Sequence, residues 1–341
     1  MRSTRWLINA TIAVIYLVIL AGAVVRMTGS GMGCPDWPKC FGYYIPPTEA
    51  EALEWKPNKS YDKGQLIIRN EQLVEAKKTF TTSSSFEASN WEAYTKHDYA
   101  VFNPWHTWIE YINRLLGALA GLFTLALFLS TLRLRPFNTK LMVLALIILL
   151  GILFQAWLGA TVVYSVLNPL KISLHMLMAL VLVALLFYMK FSASTYSVSA
   201  DSLKPNQIYI GLALGMTLIQ ILLGTQVRQS VDHFLDEGMS IEGWINKAPI
   251  IFYIHRSFSI AVLLINVLIF WRLRTQASRF TPHYLLVLGL LFLEVATGVA
   301  MNYFAFPFST QPLHLVIASL LFGLQAYLFM RSTSSPLPSK I

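Results

Sequence analysis

Eight stretches of this chain are long and apolar enough to cross a lipid bilayer, and they constrain it more than any other feature. They lie near 6–25, 108–130, 141–163, 171–190, 208–227, 250–271, 284–304 and 312–330, and a membrane-spanning helix needs about 20 such residues. No water inside the bilayer can satisfy a bare backbone, so runs of this length specify helices. The 341 residues are 55% hydrophobic and 13% charged, outside the range of ordinary soluble domains. The net charge of +9 does not indicate nucleic acid, because the cations sit in short loops between apolar runs and form no basic face. The expected fold is all-α and integral to the membrane.

Those cations set the orientation. With the N-terminus inside, Arg2, Arg5, Arg133, Arg135, Lys140, Lys190, Lys204, Arg272, Arg274, Arg279, Arg331 and Lys340 all fall on the cytoplasmic side, as the positive-inside rule requires. The short outer loops then hold little beyond Arg228 and Lys247, with Asp232, Asp236, Glu237 and Glu242 alongside. The first run has signal-peptide flanks in Arg2, Arg5 and Ala21-Gly22-Ala23, but its apolar stretch is longer than a signal core, so it reads as a retained helix. With no Arg- and Ser-rich presequence before it, the expected location is a bacterial-type plasma membrane with both termini cytoplasmic.

Between the first two runs lies an external loop, 27–105. Its first part, Met27 to Gly42, is dense in Gly and Pro and reads as ordered loop. It holds the only two cysteines, Cys34 and Cys40, on the oxidising side. A disulfide or reversible thiol pair suits them better than a metal site, which normally wants about four ligands; a structural staple and a redox-active pair both remain open. From roughly 45 to 104 the chain is polar. The charge spacing between Asn70 and Lys78 suits a short surface helix, Thr81 to Ser85 reads as linker, and His97 is expected to be solvated. Trp37, Trp105, Trp108 and Trp244 read as an aromatic belt at the outer boundary. Met176, Met178 and Met189 read as packing side chains, and His233 and His283 carry no assignment.

The runs repeat. Gly22-Ala23-Val24-Val25-Arg26 ends the first as Gly224-Thr225-Gln226-Val227-Arg228 ends the fifth, and Glu110-Tyr111-Ile112-Asn113-Arg114 opens the second as Phe252-Tyr253-Ile254-His255-Arg256 opens the sixth. Gln155 and Gly159 match Glu294 and Gly298, and His175 and His314 each follow their glycine by 16 residues. Landmarks matched in all four pairs mark an internal repeat. Each unit has an even number of helices, so the expected architecture is two pseudo-symmetric four-helix bundles related by an axis along the membrane normal, spanning 1–191 and 206–331.

His255 and His314 fall at similar depth on the first and third of three consecutive helices. Two facing imidazoles in a bundle suit the axial ligands of a b-type haem, and the repeat favours this over a pair of simple interhelical hydrogen bonds. The equivalent first-half positions are Asn113 and His175, which supply one good iron ligand. His106 lies seven residues before Asn113, about 10 Å along the axis, and replaces it only if the helix start unwinds. Glu110 stands one turn outside Asn113 where the second half has Phe252. Its carboxylate suits chemistry in one half alone, and equally an ion pair with Arg114. Arg26, Arg114, Arg228 and Arg256 occupy repeat-related outer ends, where they are candidates for haem propionates or for snorkelling. Glu294 is an ionisable group near mid-membrane and a functional candidate by default, or an interhelical hydrogen-bond partner.

On these residues the chain resembles the haem A synthase family. The resemblance rests on the eight helices in two halves, on Gly29-Ser30-Gly31 leading into Cys34-Pro35-Asp36-Trp37-Pro38 and Cys40, on Glu110-Tyr111 with Arg114, and on histidines opening the fourth, sixth and eighth helices. It implies an oxidoreductase that converts a ring methyl of haem O to the formyl of haem A by successive hydroxylations, for a terminal oxidase. His255 and His314 would hold haem b, and His175 and Glu110 would belong to the substrate site, with haem O as substrate. A membrane electron donor, haem O synthase and the oxidase assembly apparatus are the implied partners, and a homo-oligomer is compatible. Asn113 departs from the family, which commonly has His there. It leaves a second reading, a non-catalytic b-type membrane cytochrome or haem-delivery protein with a degenerate first site.

Overall fold

In the computed structural model, residues 2–194, 203–276, 280–307 and 309–333 are described; Arg279 and Lys340 lie outside them. The long helices are α1 (Arg2–Met27), α2 (Pro104–Leu132), α3 (Thr139–Tyr164), α4 (Pro169–Ser192) and α5 (Gln207–Asp236). After the short α6 (Ile241–Asn246) come α7 (Ile250–Gln276), α8 (Thr281–Tyr303) and α9 (Thr310–Ser332). All but α6 are long and apolar enough to span a bilayer, which makes eight among the described residues. Large apolar side chains such as Leu122, Trp271 and Phe292 point outward from them, which lipid accommodates and water does not.

Local chemistry sets the helix starts. Asn103 Oδ1 accepts from the Trp105 and His106 amides, and Asn168 Oδ1 from those of Leu170 and Lys171. In both cases Pro follows the Asn as the first helical residue, where its missing N–H costs nothing. The α3–α4 turn puts two consecutive non-glycine residues, Val166 and Leu167, in the left-handed region, and the Leu167 amide donates to Val162 O. The α8–α9 turn does the same at the repeat-related Ala305 and Phe306, with Phe306 donating to Met301 O. Such residues cost about 1–3 kcal/mol each, and each turn leads into a helix that carries a candidate histidine.

Two compact units emerge: Met1–Tyr16, Phe123–Gly151 and Leu177–Ile341 form one, and Leu17–Leu122 with Ile152–Met176 form the other. Within the first, α5 packs on α7 and α9, α7 on α8, and α8 on α9, closing a ring of four helices. Its core draws Ile210 and Ala213 from α5, Val262, Ile269 and Leu273 from α7, Tyr284, Val287 and Leu291 from α8, and Leu321 and Leu328 from α9, at helical spacing. Arg228 and Asp232, read as loop residues, pair with each other on α5, which extends past the apolar run. Trp244 is buried against Phe252 and Phe306 and donates to Ser230 Oγ, so it is a packing residue and no part of an aromatic belt.

Within the second unit the polar insert between α1 and α2 is a small β domain. Strands β1 (Ser60–Tyr61) and β4 (Phe80–Thr81) pair, and β2 (Leu66–Arg69), β3 (Gln72–Ala76) and β5 (Trp91–Ala93) form an antiparallel sheet in the order β2-β3-β5. The helix expected between Asn70 and Lys78 is therefore a hairpin. Asn70 and Glu71 both have positive φ at its tip, the turn that matches strand twist, and side chains alternate between two cores. Leu66, Ile68 and Leu73 face the disulfide, while Ile67, Val74 and Ala76 join Tyr61 and Trp91. The stretch read as linker is structural too, since Thr82 is buried and its hydroxyl bonds to Lys56 and Lys59.

Candidate functional site

In the first unit, α7 and α9 bring His255 and His314 together with ring centroids 6.4 Å apart. Two imidazoles on one iron stand about 6–6.5 Å apart by centroid, because metal–nitrogen bonds to histidine are about 2 Å long. The centroid spacing of the pair falls in that range, with the ring planes 68° apart and Gln220 Nε2 3.5 Å from His255 Nε2. Glycine on the neighbouring helix makes the room: a Cβ on Gly224 of α5 would meet His255 Cε1 at 3.1 Å, and one on Gly298 of α8 would meet His314 Cε1 at 3.7 Å. Gln220 of α5 donates to the His255 carbonyl at 3.0 Å. Glu294 Oε2 lies 3.1 Å and Thr297 Oγ1 2.8 Å from His314 Nδ1. Glu294 thus has a ring partner, and Thr297, one turn on, is a neighbour the sequence reading missed.

The second unit repeats the glycine arrangement. A Cβ on Gly22 of α1 would lie 3.9 Å from Asn113 Oδ1, and one on Gly159 of α3 3.3 Å from His175 Cε1. Gln155 donates to the His175 carbonyl at 3.0 Å. Asn113 Oδ1, Gln155 Oε1 and His175 Nδ1 are buried without a hydrogen-bond partner among the described residues, the state expected of polar groups arranged around a ligand. This unit offers one imidazole and one carboxamide at the repeat positions. His106 sits in the first turn of α2, and its amide is held by Asn103.

Outside these positions, Cys34 and Cys40 are joined in a disulfide buried in its own apolar cluster with Phe41, Leu53, Leu66 and Leu73. Glu110 is 4% exposed and forms a salt bridge with Arg114, and its Oε2 accepts the Cys34 amide at 2.8 Å. Arg114 also donates to the Cys34, Asp36 and Lys39 carbonyls. Its guanidinium nitrogens are therefore turned to the loop and to Glu110, and Glu110 is engaged by Arg114 and by the Cys34 amide. Asp36 accepts from the Phe41 and Gly42 amides, and Thr107 donates to Gly33 O. Burial pushes the Asp36 carboxyl above its ordinary range, against the opposing pull of the Gly42 amide and the Arg114 charge.

His97 is not solvated. Its Nε2 lies 2.9 Å from Pro35 O, and Tyr94 donates to the same carbonyl at 3.0 Å, so the insert grips the loop between the cysteines. No local signal marks either contact, because both cross about sixty positions of sequence. Among the other candidate arginines, Arg228 pairs with Asp232 and Arg256 lies over the Phe252 and Tyr253 rings.

Fold and site together define a class: a multi-pass helical membrane protein with a half-buried histidine pair in one bundle and a disulfide loop tied to a buried carboxylate. Within that class the chain belongs to the family of cytochrome oxidase assembly proteins, whose model matches residues 4–326. It is 26% identical over 347 residues to the protein named Heme A synthase of Ehrlichia canis, covering 95% of this chain and 91% of that one. The Heme A synthase of Wolbachia pipientis is 25% identical over 370 residues, 98% of each chain. That of Shewanella oneidensis is 29% identical over 222 residues, 64% of this chain and 55% of the relative. All three bear the name of the family that the sequence resembles.

Proposed function

We propose that the chain is a membrane oxidoreductase that converts haem O to haem A, oxidising a ring methyl to a formyl group by successive hydroxylations for assembly of a terminal oxidase. The observation that carries this reading is the family match over 4–326, and the 6.4 Å histidine pair supports the haem chemistry it requires. His255 and His314 would hold haem b, which when bound supplies one-electron transfer. His175 would hold the substrate haem O from one side, with Asn113 and Glu110 on the neighbouring helix of the substrate half.

The chain's own groups then have distinct tasks. The four glycines leave room beside the ligand positions, while Gln155 and Gln220 tie down the backbone of His175 and His255. Glu110 and Arg114 hold the disulfide loop against α2, in the half assigned to the substrate. Cys34 and Cys40 serve as a staple or a redox pair, and Arg26, Arg228 and Arg256 are candidates for the propionates. In this reading residues 1–191 and 206–331 are the substrate and haem b halves, and the protein sits in a bacterial plasma membrane with both termini cytoplasmic. A membrane electron donor, haem O synthase and the oxidase assembly apparatus are its partners.

Asn113 favours a second reading, a b-type cytochrome or haem-delivery protein whose first half is inactive. Expression in a host that makes haem O but no haem A separates the two. Haem A among the extracted haems supports conversion, and haem b without haem A, with haem O present, supports the cytochrome.

A further inference from the structure

Of the three candidate iron-binding imidazoles, one is held from behind. His175 Nδ1 and His255 Nδ1 are buried with no hydrogen-bond partner among the described residues. His314 Nδ1 has two, Thr297 Oγ1 at 2.8 Å and Glu294 Oε2 at 3.1 Å. The Thr297 hydroxyl also lies 2.8 Å from the Leu293 carbonyl and 3.0 Å from the Glu294 carbonyl, and with its proton on either of these it offers the ring a lone pair. With Glu294 ionised, both neighbours of Nδ1 are acceptors. An imidazole between two acceptors carries its proton on that nitrogen and keeps the lone pair of Nε2 for a metal.

The repeat-related positions in the other half are built differently. Gln155 stands where Glu294 does, and it directs its amide N–H to the His175 carbonyl, away from the ring. Leu158 stands where Thr297 does and brings no polar atom. Glu294 is 15% exposed by side chain, and no Lys or Arg pairs with it among the described residues. A carboxyl group deep in an apolar bundle costs several kcal/mol unless it is bonded; here Oε2 meets His314, while Oε1 is buried without a partner among the described residues.

We propose that Glu294 and Thr297 are positioning residues that fix His314 as the Nδ1–H tautomer, turn Nε2 toward the haem b iron and make it the more strongly donating axial imidazole. The inference rests on the haem b reading given above. Its consequence is a difference between the halves: the second half holds its haem with a hydrogen-bonded imidazole that stabilises the ferric state, and the first half meets its substrate with an unassisted one.

The test uses the full chain, purified with its haem, and compares wild type with Glu294→Gln, Thr297→Val and Thr297→Ser by redox titration and by ferric paramagnetic resonance. Wild type gives a low-spin bis-imidazole signal. The midpoint potential rises and the g-values shift in Glu294→Gln and in Thr297→Val, whereas Thr297→Ser, which keeps the hydroxyl, retains the wild-type values. Unchanged potential and g-values in both Glu294→Gln and Thr297→Val, with haem still bound, overturn the assignment. Absence of any bis-imidazole signal in wild type overturns the haem b reading, and the assignment with it.

Discussion

Glu110 and Arg114, one turn apart on α2, hold Cys34 from both sides: the Cys34 amide donates to the Glu110 carboxylate and its carbonyl accepts from the Arg114 guanidinium. The buried ion pair thereby fixes the backbone at the disulfide, and the loop depends on a side chain roughly 80 residues away.

Replacing that guanidinium releases the loop. Lys at position 114 presents a point charge and cannot reach Glu110 and three carbonyls at once. Hydrogen bonds to charged groups contribute about 1.5–3 kcal/mol each, so Arg114→Lys should open the loop at least about tenfold more often. The rate at which a water-soluble phosphine reduces Cys34–Cys40 reads this directly, and an unchanged rate contradicts the clamp.

The glycine contacts rank two further substitutions. Gly224→Ala brings a Cβ within 3.1 Å of the His255 ring, and Gly298→Ala brings one only to 3.7 Å of His314. The first overpacks a site that lacks slack, at about 1–3 kcal/mol; the second is an ordinary contact. Haem b content per purified chain should fall several-fold in Gly224→Ala and stay near wild type in Gly298→Ala. The reverse order would show that the rings sit elsewhere when haem is bound.

Asn113→His tests the departure from the repeat. Asn113 faces Gly22 as His255 faces Gly224, with a Cβ on the glycine 3.9 Å and 3.1 Å away respectively. The variant should add a second bis-imidazole signal from the first half, while wild type already makes haem A. Haem A that arises only in the variant would establish that the native first half is inactive.

Loop stability should depend on pH through Asp36. Its carboxyl is raised above the ordinary 3.8, chiefly by burial. A carboxyl raised on folding takes up a proton as the chain folds, so its contribution is complete below the unfolded value and is lost as pH rises through the folded one. Phosphine reduction of the disulfide should therefore accelerate with rising pH across the range above 3.8 more steeply in wild type than in Asp36→Asn. Parallel profiles in the two proteins would exclude Asp36 as the cause.

Most of the membrane architecture was legible because lipid leaves so few options. Apolar runs give the helices, and repeated landmarks gave the meeting of His255 with His314; that the repeated glycines lie beside these positions emerged only from the structure. The polar insert was not legible for a physical reason. Charges between Asn70 and Lys78 fall at helical spacing, yet Leu66 to Ile68 and Leu73 to Ala76 alternate between two small cores, and the turn between them lacks the glycine that usually announces it. The left-handed pairs Val166-Leu167 and Ala305-Phe306 were hidden likewise, since apolar residues signal helix or strand and not a turn. His97, Tyr94 and Arg114 act on the loop through contacts between distant positions, which residue spacing does not encode.

The most direct test of the whole account is the haem spectrum of the full chain purified with haem O supplied. The account predicts one low-spin bis-imidazole haem b that disappears in His255→Ala and in His314→Ala, and a second haem with single-imidazole ligation that disappears in His175→Ala. A bis-imidazole haem that survives both His255→Ala and His314→Ala would contradict it, because the 6.4 Å pair would then not be what holds the iron.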